Sequence, residues 1–85
     1  MADHTYTVKA EWDADASVWV ATSDDVPGLV TEAATLERLM EKLRVMVPEM
    51  LQLNGVLAAD AAALAPFKVI AERLEQRQGA GAERD

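Results

Sequence analysis

A chain of 85 residues holds one small domain, which buries only about 60% of the surface that its unfolded form exposes. It has no cysteine, which excludes disulfides and thiolate metal sites as supplements to that small core. Fifteen acidic residues against eight scattered basic ones give a formal charge of −7, a balance that repels a phosphate backbone, so direct binding of nucleic acid is not expected.

In chain order, Tyr6 to Trp12 alternates, with Tyr6, Val8, Ala10 and Trp12 on one face and Thr7, Lys9 and Glu11 on the other. Period-two alternation predicts a half-buried strand. The turn formers Asp13 to Ser17 follow, and Val18 to Thr22 then reads as a second strand of β-branched and aromatic residues. A connecting loop of two or four residues sets Trp12 opposite Trp19. Two buried tryptophan rings would remove about 400 Å² from water, worth roughly 10 kcal/mol before costs. Core packing is the simpler role for both rings, and a binding surface is the other. The same register puts Val18 and Val20 on the opposite face, so both faces of the hairpin are partly apolar. One helix covers one face, which leaves the second for a further copy, a partner or the C-terminal segment.

Pro27-Gly28 marks a turn, and Leu29 to Ala33 is short enough for a third strand. Thr35 is placed to cap a helix, with Glu37 in its first turn. Leu36, Leu39, Met40, Leu43, Val47, Met50 and Leu51 recur at steps of three and four, giving one apolar stripe. Pro48 has no N–H to offer the Arg44 carbonyl, which predicts a kink or a break. Asn54-Gly55 is a stop signal. Ala58 to Ala65 reads as a loop or a weak helical turn, ended by Pro66. Phe67 to Leu74 fits a strand through about Glu72, with helix as the alternative because Ala71 to Gln76 is good helix-forming material. The domain is therefore placed at residues 5–76, and the Gly-, Ala- and charge-rich residues 77–85 are read as a disordered tail. No run approaches the roughly 18 apolar residues of a membrane helix. The opening residues MADHTYT carry no secretory apolar core, and the expected compartment is the cytoplasm.

Little here suggests catalysis. There is no cysteine, His4 is the single histidine, and neither Ser17 nor Ser23 has an evident base beside it. The chain is read as a non-enzyme. Asp13-x-Asp15-x-Ser17 copies the first half of a calcium-binding EF-hand loop. The copy fails at its sixth position, Val18, where glycine is required, and at its twelfth, Asp24, where a bidentate glutamate is required. No metal or cofactor is expected, and these carboxylates, with Asp25, read as solvated turn residues.

One joint pattern is more specific. It comprises VKAEWD (Val8 to Asp13), VWVA (Val18 to Ala21), SDDVPGL (Ser23 to Leu29), Thr31-Glu32-Ala33, Thr35-Leu36, and VPEMLQLNG (Val47 to Gly55). On these residues the chain resembles the HicB-like antitoxin superfamily, the antitoxin side of HicA–HicB toxin–antitoxin pairs, and within it a group of small bacterial HicB-related proteins. The resemblance implies an α+β fold: a three-stranded antiparallel sheet, one helix packed on it and a returning strand, β-β-β-α-β, a degraded ribonuclease-H-like arrangement without its catalytic carboxylates. The order read from periodicity agrees. The resemblance also implies a protein-interaction role, binding and neutralising a small, basic, RNA-cleaving HicA-like toxin, or descent from a protein that did. An acidic chain suits a basic partner. The positions it marks for partner binding are Trp12, Trp19, Asp24, Asp25, Pro27, Gly28 and Glu32. HicB proteins usually add a C-terminal DNA-binding helix module, and no such pattern follows the last element here. The second apolar face points to a homodimer. The alternative from another class is a homo-oligomeric regulatory domain that binds a small ligand or metal through its acidic turns.

Overall fold

The computed structural model describes residues 4–74. Its elements are strands β1 (Tyr6–Asp13), β2 (Val18–Thr22) and β3 (Val30–Ala33), helices α1 (Leu36–Leu53) and α2 (Ala59–Ala63), and strand β4 (Phe67–Glu72). The fold is α+β, in the order β-β-β-α-β with α2 as an added short turn of helix. The sheet runs β3-β2-β1-β4. Its first three strands form the antiparallel meander anticipated from sequence. The returning strand lies beside β1 and parallel to it, which makes the sheet mixed. Parallel pairing requires a crossover, and α1 and α2 supply it by carrying the chain from one edge of the sheet to the other.

The four-residue loop 14–17 sets Trp12 opposite Trp19, as its length requires. Asp13 fixes that loop: its Oδ1 accepts from the backbone N–H of Asp15 and Ala16, and Ser17 takes a left-handed conformation at φ 56°. Only one of the two rings enters the core, contrary to the expectation that both would be buried. Trp19 is 9% exposed, whereas Trp12 is half-buried at the uncovered end of the face. The rings meet edge to face, with centroids 5.5 Å apart.

Helix α1 buries Leu39, Leu43, Val47 and Leu51, one residue every four. These meet Tyr6, Val8, Ala10, Trp19, Ala21 and Ala33 from the sheet, Val26 and Leu29 from the β2–β3 connection, and Ala62 from α2. Thr35 caps the helix, its side chain accepting from the Arg38 N–H at 3.1 Å. At the other end Gly55, at φ 72°, donates to the Gln52 carbonyl while Val56 donates to that of Leu51, a left-handed stop that the Asn54-Gly55 pair predicts. Pro48 does not break the helix; α1 runs unbroken from Leu36 to Leu53 through it. An interior proline costs about 3 kcal/mol. Val47 and Leu51, buried on either side of it, each contribute roughly 1.5–3 kcal/mol only if the helix continues. Of the two readings for residues 67–76, strand holds for Phe67–Glu72. Residues 75 and 76, and the tail at 77–85, lie outside the described residues.

The stripe yields a direct test. Leu43→Ala is expected to lower the unfolding free energy by about 2–5 kcal/mol in urea denaturation. Val45→Ala, two residues away and 62% exposed, is expected to change it by no more than about 0.5 kcal/mol.

Candidate functional site

The SDDVPGL stretch, the most distinctive in the sequence, is built into the architecture. Beyond the Lys9–Thr22 pair β2 ends while β1 continues toward its start. At Thr7 side chains take over from the missing strand. Ser23 Oγ donates to the Thr7 carbonyl at 2.6 Å, and Asp25 Oδ2 accepts from the Thr7 N–H at 2.9 Å. The same Ser23 oxygen accepts from the N–H groups of Asp25 and Val26 at 3.1 and 3.0 Å. Val26 and Leu29 drop into the core as the turn closes through a Leu29 N–H to Val26 carbonyl bond. His4 Nε2 lies 3.8 Å from Asp25 Oδ2, and its ring stands edge-on to Tyr6.

The Pro27-Gly28 corner holds the far end of α1. Asn54 Nδ2 donates to the Pro27 carbonyl and to the Met50 carbonyl, both at 3.0 Å. Gly28 sits at φ 80°, and a Cβ there would come 2.8 Å from Met50 Cε, so both backbone and space call for glycine. Among the residues marked for partner binding, Asp25, Pro27 and Gly28 thus have structural work, and Trp19 is in the core. Asp24, Glu32 and Trp12 remain accessible. They are not gathered at one point: Asp24 is at the start of the turn, Glu32 is on β3 and Trp12 is near the hairpin end of β1.

Around Trp12 a different set converges. Glu11, Glu72, Arg73 and Leu74 line one open depression beside the ring, of about 510 Å³; Glu11, Asp13, Asp15 and Val20 line a second on its other side. The Arg73 guanidinium carbon lies 4.2 Å from the ring centroid, a cation–π contact. Strand pairing puts Glu32, Val20, Glu11 and Glu72 in one row across the face away from α1. This same outward-facing side of the sheet is partly apolar, as the hairpin register predicts: Val18 and Val20 are half-buried, while Val30 and Ile70 are 64% and 47% exposed. Chemically, the corner offers carboxylates and an aromatic face, a combination that holds a guanidinium or ammonium group. Among the described residues no group of three His, Cys, Asp or Glu side chains is placed to hold a metal ion. Glu72 and Arg73 were not singled out from sequence, because only the parallel alignment of β4 on β1 brings them to the Trp12 end of the sheet.

The Ser23 arrangement is testable by one substitution. Ser23→Ala removes three hydrogen bonds and strands the N–H of buried Val26, so a loss of about 1–3 kcal/mol is expected in denaturation, with faster amide exchange at Val26.

No helix among the described residues is long and apolar enough to cross a membrane. No curated protein matches the chain. The crystal structure of a hypothetical protein, TTHA1013, from the extremely thermophilic bacterium Thermus thermophilus is 50% identical to it, over 89% of this chain and 100% of that one, with a TM-score of 0.66. The model of a domain of unknown function, DUF1902, matches residues 5–78. With nearly all of the described residues inside that match, the chain belongs to the DUF1902 family.

Proposed function

We propose that this chain is a protein-interaction domain of the HicB antitoxin kind, which binds a small basic protein and neutralises it. The observation that carries the reading is the Trp12 corner. A half-buried indole has a guanidinium, that of Arg73, on its face, and the two open depressions that meet at it are lined by Glu11, Asp13, Asp15 and Glu72, with Glu11 and Glu72 on the far side of the sheet. An arginine or lysine from a partner has the same chemistry. Cation–π attraction contributes about 0.5–1 kcal/mol at an exposed site and about 2 kcal/mol once water is excluded. The formal charge of −7 supports the same partner class, since complementary charge speeds encounter and selects against acidic competitors. The HicB resemblance supplies the partner's identity as a small RNA-cleaving toxin; the cytoplasm is the compartment that goes with it. A catalytic reading has no comparable support, because Ser23 is committed to backbone hydrogen bonds and His4 stands beside Asp25 and Tyr6.

The test is co-expression with the basic product of a neighbouring open reading frame. Capture of that product, in a complex weakened by salt, is expected. Trp12→Ala is expected to weaken it roughly tenfold, while Trp12→Phe, which keeps an aromatic face, retains most of the affinity. Equal affinity for all three proteins would contradict the assignment of the corner. Absence of any basic neighbour that binds would leave the domain an orphan without a toxin.

A further inference from the structure

Strand β4 is an edge, and its sequence is charge-complementary to itself. The Tyr6 N–H bonds to the Pro66 carbonyl at 3.0 Å. Backbone groups alternate along a strand, so Lys68, Ile70 and Glu72 direct their N–H and C=O toward β1, while those of Phe67, Val69 and Ala71 point out from the free edge. Six residues of regular, unbulged strand end the sheet on this side. The opposite edge, β3, is only four residues long, and its Glu32 carbonyl already accepts from Lys42 Nζ at 2.6 Å. Native proteins usually protect a long regular edge, because it templates pairing with another chain.

We infer that β4 pairs antiparallel with β4 of a second copy, about a twofold axis through Ile70, joining two four-stranded sheets into one of eight strands. A twofold axis perpendicular to the sheet keeps each side chain on its own face, which restricts the pairings to those in which a residue meets its own equivalent at the centre. Centred on Ile70, Lys68 faces Glu72 of the second copy, twice by symmetry. Ile70 meets Ile70, and Val69 meets Ala71 on the helix-covered side. Centring on Lys68 or on Glu72 sets like charges against each other. Centring on Val69 or Ala71 sets Ile70 against a charged residue. The charges are available: among the described residues neither Lys68 nor Glu72 makes an ion pair. The outward N–H groups also fit, since Val69 and Ala71 become the hydrogen-bonded pairs and Ile70 the close, non-hydrogen-bonded one. The 47% exposure of Ile70 then has a physical purpose. This inference does not depend on the toxin reading, although Glu72 belongs both to the paired edge and to the depression beside Trp12.

The absence of native cysteine makes the test clean. I70C, oxidised in air, is expected to form a disulfide-linked dimer, since directly opposed side chains of such a pair lie about 4.5–5.5 Å apart. K68C alone and E72C alone are expected not to link, but a mixture of the two is expected to give the heterodimer. In sedimentation experiments the unmodified chain is expected to be dimeric. K68E and E72K are each expected to weaken the dimer on the order of tenfold, and K68E/E72K together to restore it. A folded chain that stays monomeric at millimolar concentration overturns the proposal. So does a dimer that neither links through I70C nor responds to charge reversal.

Discussion

One helix has to serve four strands. A helix about 10 Å across spans roughly two strands spaced about 4.8 Å apart. Helix α1 accordingly lies over β2 and β3, with α2, Leu57 and Ala65 completing cover near the start of β1. The rest follows from that shortage of cover. Trp19 lies under the helix and is buried; Trp12, opposite it, is at the end that the helix does not reach. Val69 and Phe67 are half-buried, and Ala71 on the same side of β4 is exposed. The far face has no covering layer among the described residues. A domain this small has little apolar area to spare, so what it leaves uncovered is where its interactions are to be sought.

The turn from Ser23 to Leu29 deals with a second shortage. β2 is three residues shorter than β1, and unpaired backbone at the start of β1 would otherwise face the core edge. A hydroxyl and a carboxylate stand in for the missing strand at Thr7, and Asn54 ties the same turn to the end of α1. The residues that make the sequence recognisable are therefore those that hold β1, the turn and α1 together. A distinctive motif and the proposed interaction surface are different things here, and the proposed surface lies on residues with ordinary local patterns.

That separation explains what could be read from the chain. Periodicity placed the β-β-β-α order, loop length set Trp12 against Trp19, and Thr35 and Asn54-Gly55 marked the helix ends, because each of these is a local property. Pro48 does not bring the break that is one of its two expected outcomes, since its local cost is outweighed by the burial of Val47 and Leu51, which depends on the sheet beneath. The direction of β4 was not legible at all. Its partner β1 lies about sixty residues away, and nothing in FKVIAE distinguishes parallel from antiparallel pairing. With that direction unknown, Glu72 and Arg73 had no reason to be associated with Trp12, and the self-complementarity of Lys68 and Glu72 had no edge to act on.

Both proposals make this domain an assembly unit that interacts through its uncovered edge and corner. Amide hydrogen exchange along β4 is the decisive experiment, because the strand's two sets of N–H groups report on its two sides. Lys68, Ile70 and Glu72 are protected by β1 in any case. With the edge paired, Val69 and Ala71 are protected too at high protein concentration and lose that protection on dilution. Free exchange at Val69 and Ala71 at every concentration, beside protected Lys68 and Ile70, would mean that the edge stays open and that the domain does not assemble through it.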